Sequence, residues 1–89
     1  MTKNFFPTLS DGLDAVREYL AENGATLAEP DRFFDTFGYG GVNYGQTKHA
    51  LGVLATHKGK PLTGRRVRTL SCTVYRMESG TYEFVAYIS

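Results

Sequence analysis

Residues 66-RVRTLSCTVYRMESGTYEFVAYI-88 carry the strongest structural signal in the chain, and the reading of the rest depends on them. Two runs rich in β-branched and aromatic residues flank Ser79-Gly80, a dipeptide suited to the φ > 0 positions of a hairpin turn. Pairing Glu78 with Thr81 around that turn sets Met77 opposite Tyr82, Tyr75 opposite Phe84 and Thr73 opposite Ala86 on one face. The other face then pairs Arg76 with Glu83, Val74 with Val85 and Cys72 with Tyr87. Opposite charges meet in this register and aromatics meet apolar partners, as cross-strand pairing favours.

Outward from the hairpin, the chain has 89 residues, enough for one domain with one modest core. Hydrophobic residues make up 42% and charged residues 21%, which places the chain among globular and not disordered sequences. The N-terminus MTKNFFPTLSDG lacks the apolar run of a signal peptide, and no run approaches the roughly 20 residues that span a bilayer. A soluble, cytoplasmic protein is the expectation. Cys72 is the single cysteine, so an internal disulfide and a multi-cysteine zinc site are excluded, and it reads as a small hydrophobe on a sheet face.

The net charge of +1 conceals an uneven distribution. Residues 1–45 carry Lys3, Arg17 and Arg32 against seven carboxylates, a balance of −4, and residues 46–89 carry seven basic residues against Glu78 and Glu83, a balance of +5. Either the two halves attract each other within the fold, or each offers a face to a different partner.

The first element reads as an amphipathic helix over Leu9–Asn23. Leu9, Leu13, Val16 and Leu20 fall within about 60° of one another at 100° per residue, and Asp11, Asp14, Glu18 and Glu22 line the opposite side. Thr8 or Ser10 suits the N-cap and Asn23-Gly24 a left-handed stop. The acidic stripe is a second candidate docking face or else a solvated surface. Residues 25–30 fit a short connection with an edge strand around Thr26 and Leu27.

Residues 33-FFDTFGYGGVNYG-45 combine five aromatics with four glycines. Phe33, Phe34 and Phe37 have the spacing of a helical turn over the core. The Tyr39–Tyr44 segment reads as a loop whose tyrosines offer large contact area with few rotors. Phe37–Tyr44 resembles the RNP1 strand of RNA-recognition motifs, matching at Gly38, Tyr39, Gly40, Val42 and Tyr44, and that resemblance would imply base stacking. Phe37 stands where that family has a phosphate-binding Lys or Arg, and Gly41 where it has a stacking aromatic. MTKNFF offers no second RNP strand, so the family is not assigned.

Residues 46-QTKHALGVLATHK-58 fit either of two elements. Ala50, Leu51, Leu54 and Ala55 make a helical face, with Gly59 and Pro61 positioned to end it, and a helix is the expectation. Leu51, Val53 and Ala55 also alternate as in a strand, and Gly52 weakens a helix interior by up to about 1 kcal/mol. As a strand, the segment would open a three-stranded meander with the hairpin.

No HExxH, Gly-x-Ser-x-Gly, Walker or dinucleotide-binding pattern occurs. His49, His57 and Cys72 are the titratable candidates for a small enzyme or ligand site, which is the least favoured reading. No cofactor or metal is expected. Binding has more support: Lys58, Lys60, Arg65, Arg66 and Arg68 fall within eleven residues without a carboxylate among them. With Tyr39 and Tyr44 they make the candidate contact surface. Alternatively, Arg66, Arg68 and Arg76 neutralise the acidic helix or Glu83.

The expected fold is a small single-domain α+β protein. Its N-terminal amphipathic helix and a second helix pack on an antiparallel sheet that ends in a C-terminal β-hairpin, burying Leu13, Val16, Leu20, Tyr75, Met77, Tyr82, Phe84 and Ile88. A third strand is expected from residues 25–29, 37–44 or 49–57, because a lone ribbon is marginal. The expected function is non-enzymatic docking on a protein or protein–nucleic acid complex, in the manner of the small accessory inhibitors phages use against host defence. The alternative is single-stranded nucleic acid bound by the basic strand and tyrosine loop. Neither reading involves a membrane, and the last strand suits either a monomer or a homodimer paired through it.

Overall fold

The computed structural model describes residues 3–89. In chain order the elements are β1 (Asn4–Phe6), α1 (Leu9–Glu22), β2 (Thr26–Leu27), α2 (Pro30–Gly38), β3 (Thr47–His57), β4 (Lys60–Pro61), β5 (Thr69–Arg76) and β6 (Tyr82–Ile88). The strands form one antiparallel sheet in the order β1-β6-β5-β3-β2, with β4 added to the end of β3. Both helices pack on one side of it, so the domain is α+β.

Helix α1 follows its sequence signals. The Thr8 hydroxyl accepts from the Asp11 amide at 3.1 Å, which satisfies one of the amides a helix start leaves unpaired. At the other end Gly24, at φ 57°, lets the Gly24 and Ala25 amides turn back onto the carbonyls of Ala21 and Leu20. That pair of bonds is a Schellman stop. The buried stripe is Gly12, Val16 and Leu20. Gly12 is there because the Phe84 ring lies directly beneath it, with a Cβ at that position falling 2.6 Å from Phe84 Cδ1.

The C-terminal hairpin forms, but one residue out of the expected register. Arg76 lies opposite Tyr82, Val74 opposite Phe84 and Cys72 opposite Ala86. The turn is a three-residue loop, closed by bonds from Met77 N to Thr81 O and from Gly80 N to Met77 O, both 2.9 Å, with Gly80 at φ 93°. The glycine thus forms a bulge beyond the turn and is not one of two central residues. A one-residue slip exchanges the faces of one strand relative to the other. The core face of the hairpin is therefore Leu70, Cys72, Val74, Phe84 and Ala86, all buried. Tyr75 and Met77, expected in the core, are not in it. Arg76 and Glu83 fall on opposite faces, and Glu83 pairs with Lys3 at 3.7 Å.

The second helix is α2 and not the 46–58 segment, which is the eleven-residue strand β3. Its inward residues include Ala50, Gly52 and Leu54, and the alternating Leu51, Val53 and Ala55 point outward. Gly52 explains the choice. A Cβ there would fall 2.6 Å from Leu27 Cδ2 and 2.9 Å from Phe33 Cδ2, so the bare backbone is what lets α2 and β2 close on the sheet. Pro30 begins α2, where its missing amide costs nothing, and Phe33 and Phe37 are its buried residues, packed edge to face at 6.1 Å. Of the three segments expected to supply another strand, 25–29 and 49–57 do so. Residues 37–44 are the end of α2 and a loop, so no RNP1 strand forms.

Strand β6 has β5 on one side, and β1 covers Tyr82–Phe84 on the other, which leaves residues 85–88 without a β1 partner. No helix among the described residues is long and apolar enough to cross a membrane.

Candidate functional site

The basic run is an arm at one end of the sheet. Strand β3 ends at His57, and Lys58 and Gly59, at φ 55° and 76°, make a two-residue turn of the type that favours Asn-Gly. His57 then pairs with Lys60 and Thr56 with Pro61. The turn is tied to the end of α1, because the Lys58 amide donates to Asn23 O at 2.8 Å and the Gly59 amide to Gly24 O at 3.0 Å. A third tether runs from Leu62 N to Ala55 O at 2.9 Å, and the half-buried Leu62 side chain packs on the core. The chain then swings out through Thr63 and Gly64 and returns at Arg68, whose carbonyl accepts from Leu54 N at 2.9 Å.

These tethers hold the backbone and leave the charges outside. Lys58, Lys60, Arg65, Arg66 and Arg68 are all exposed and, with His57, surround a pocket of about 510 Å³. Pro61, Leu62 and Val67 supply its apolar wall, and Val67 is 68% exposed. The ion pairs among the described residues are Lys3–Glu83, Arg17–Asp14 and Arg32–Glu29, so no carboxylate lies within 4 Å of any of the arm's cations. The neutralisation of Arg66, Arg68 and Arg76 by the acidic helix or by Glu83 does not occur. Five like charges held on one short segment repel one another, and the positive potential they create is available to an external anion.

Tyr39 and Tyr44 sit elsewhere. Their loop enters β3 at Thr47 and the arm leaves it at His57, so about 33 Å of strand separates the two. The expected single contact surface is thus two separate surfaces. Arg76 binds the tyrosine loop from beneath, with its guanidinium 3.9 Å from the Tyr44 ring centroid and 5.2 Å from that of Tyr82, and with Nη1 donating to Val42 O at 3.2 Å. This contact fixes the loop, and it follows from the register that sets Arg76 opposite Tyr82 and not opposite Glu83. Tyr39 is 87% exposed.

On α1, Asp11, Asp14, Glu18 and Glu22 are all exposed, and Arg17 bonds to Asp14 at 3.0 Å. His49, His57 and Cys72 are not brought together. The His49 ring shares a hydrogen bond with the Thr73 hydroxyl at 2.8 Å on the outer side of the sheet, and Cys72 faces the core, fully buried. Burial pushes the thiol up to about 12, so the nucleophilic thiolate is suppressed at neutral pH.

Comparison with protein-family models, curated proteins and solved structures gave no match to this chain.

Proposed function

We propose that this is a non-enzymatic binding protein that docks on a macromolecular partner through the basic arm, and that the partner presents an acidic protein face. The observation that carries the reading is the arm itself: five exposed cations on an anchored backbone with no carboxylate within ion-pair distance. Charge left uncompensated in this way does nothing for the fold and steers association with an anion. The exposed Val67 and the apolar pocket wall supply the dry contact that a protein interface needs at its centre. Sequence-tolerant binding of single strands combines a positive track with stacking aromatics, and here the tyrosines lie at the other end of the sheet. The protein then acts by occupancy, as a small accessory inhibitor of a protein or protein–nucleic acid complex does.

The test uses two fluorescent polyanions, a poly-glutamate peptide and a single-stranded oligonucleotide, each at about 50 and about 200 mM salt. Poly-glutamate binding that falls at least tenfold in Arg66→Ala/Arg68→Ala and is unchanged in Tyr39→Ala supports the reading. Preference for the oligonucleotide, with a steep salt dependence, would replace it with the nucleic-acid reading. Absence of both at the lower salt overturns docking through the arm.

A further inference from the structure

Strand β3 is paired on one side along its length, by β5 and then β4, and on the other side only near its end. The Gln46 carbonyl accepts from Arg76 N and the Leu54 amide donates to Arg68 O, so the even-numbered residues between them turn their backbone groups to β5. Thr47, His49, Leu51 and Val53 turn theirs the opposite way. There β2 faces Leu54 and Thr56, and Val53 O accepts from Ala28 N at 2.9 Å. Before that point no strand lies alongside, and the amides and carbonyls of Thr47, His49 and Leu51 have no hydrogen-bond partner among the described residues. The free groups extend over about 17 Å at 3.4 Å per residue. Such an edge is a template for another strand unless Pro, a bulge or an outward charge blunts it. Residues 47-TKHALG-52 hold no Pro, and their register with β5 runs without a shift. Lys48 is drawn back by a bond from Nζ to Tyr39 O at 3.0 Å. The far end of the sheet is covered in two places by contrast: β1 lies along Tyr82–Phe84, and the Ile88 amide donates to the Tyr19 hydroxyl at 3.2 Å.

We propose that the β3 edge is a docking site for an extended segment of another protein, added as a strand along the line that β2 leaves at Leu27. The backbone groups select a strand, and the surroundings select its side chains. A pocket of about 260 Å³ opens where this line meets β2, between Leu51, Gly52 and Val53 on the strand and Glu29, Arg32 and Phe33 beside it. Glu29 and Arg32 pair at 3.5 Å, so the charge at the mouth is balanced and the pocket suits an uncharged apolar side chain. On the apolar outer face, which no helix covers, Leu51 is 65% exposed and Val53 55%. The added strand sets its alternate side chains against these two, where β-branched and aromatic residues pair best. A second copy of β3 does not fit. Phe33 and Leu27 both close on Gly52, which places α2 above the boundary between β3 and the vacant line. A twofold axis normal to the sheet, which pairs β3 with itself antiparallel, would put two helices, each about 10 Å across, over that one boundary. An axis along the strands would set like groups face to face, amide against amide. The edge is separate from the basic arm, so this inference stands apart from the arm's role.

The probe is a fluorescent, acetylated peptide of about eight alternating threonines and valines, N-methylated on alternate amides so that one pairing edge remains and it cannot stack on itself. Its titration to about 1 mM against the full chain is followed by anisotropy, and backbone amide exchange is followed in parallel. Binding is expected, with exchange at His49 and Leu51 slowed at least tenfold, and the same peptide methylated on every amide should not bind. The Leu51 amide points away from β5, so Leu51→Pro deletes a docking donor without deleting a ladder bond. It should weaken peptide binding at least tenfold with an unchanged far-ultraviolet circular dichroism spectrum; if this variant does not fold, the fully methylated peptide decides the matter on the wild-type chain. Arg66→Ala/Arg68→Ala should bind the peptide as the wild type does, and a loss there overturns the proposal by moving the peptide to the arm. No binding, or equal binding of the two peptides, also overturns it. Protection of His49 and Leu51 that rises with protein concentration in the absence of peptide overturns it in favour of a second copy.

Discussion

Gly12→Ala tests the packing of α1 on the sheet. An alanine Cβ would lie 2.6 Å from Phe84 Cδ1 and closer still to Cε1 and Cζ, where ordinary contact needs about 3.5 Å or more. The ring has no room to retreat: Phe84 is fully buried and held edge to face by Phe6 at 5.5 Å. The helix must instead lift by about 1 Å, and a gap of that size forfeits a quarter to a half of each dispersion contact around Val16 and Leu20 as well. Overpacking of a tight core costs about 1–3 kcal/mol, and lifting a whole helix belongs at the upper end. Against this, replacing glycine inside a helix gains up to about 1 kcal/mol. The net destabilisation is about 2 kcal/mol, which for a chain of this size lowers Tm by roughly 8–16 °C. Thermal unfolding followed by circular dichroism measures it, with Gly38→Ala as control, since a Cβ at Gly38 meets nothing within 4 Å. If Gly12→Ala melts at or above the wild-type temperature, the helix is not seated on Phe84 in the way described.

Three further perturbations separate fold from function. Lys58 holds φ 55°, where a residue with a Cβ is strained by about 1 kcal/mol and Asn is better suited; Lys58→Asn should raise stability to urea by a few tenths to 1 kcal/mol while weakening polyanion binding. Arg76→Ala removes a stacking contact at 3.9 Å and a bond to Val42 O, and should cost about 1–2 kcal/mol in urea unfolding, with Arg76→Lys failing to restore it because an ammonium cannot stack as a planar fork. The Cys72 thiol is raised from 9.0 to about 12 in the folded state, so an unfolded chain loses this proton first as pH rises. Stability attributable to Cys72 is thus intact below about pH 9 and declines between 9 and 12, and Cys72→Ala should flatten that alkaline decline in pH-dependent unfolding; the native thiol should also resist alkylation at pH 8 until the protein is denatured.

The two candidate surfaces differed in how legible they were. The basic arm could be read directly, because charge density along eleven residues is a local property and exposed cations stay where the sequence puts them. Its union with Tyr39 and Tyr44 could not be read, since it depended on whether residues 46–58 formed a helix, which would return the chain, or a strand, which carries it about 33 Å away. The apolar outer face was invisible for a related reason. Leu51 reads as part of a helical face and Tyr87 as the partner of Cys72 until the register shows which parity the helices cover.

Local chemistry in the sequence was enough to determine α1 with its caps, the existence of the C-terminal hairpin and the basic character of residues 58–68. Capping residues, hydrophobic period and charge act over three or four neighbours, and each of these features is that short in range. Tertiary contacts decided the hairpin register, the identity of β3 and the side of the sheet left bare. In each case a residue without a Cβ was the pivot: Gly80 lengthened the turn by one residue, Gly52 admitted Leu27 and Phe33 to the strand, and Gly12 seated the helix on Phe84. A missing side chain leaves no hydrophobic signal in a sequence. What it permits is close approach, which depends on a partner distant in the chain.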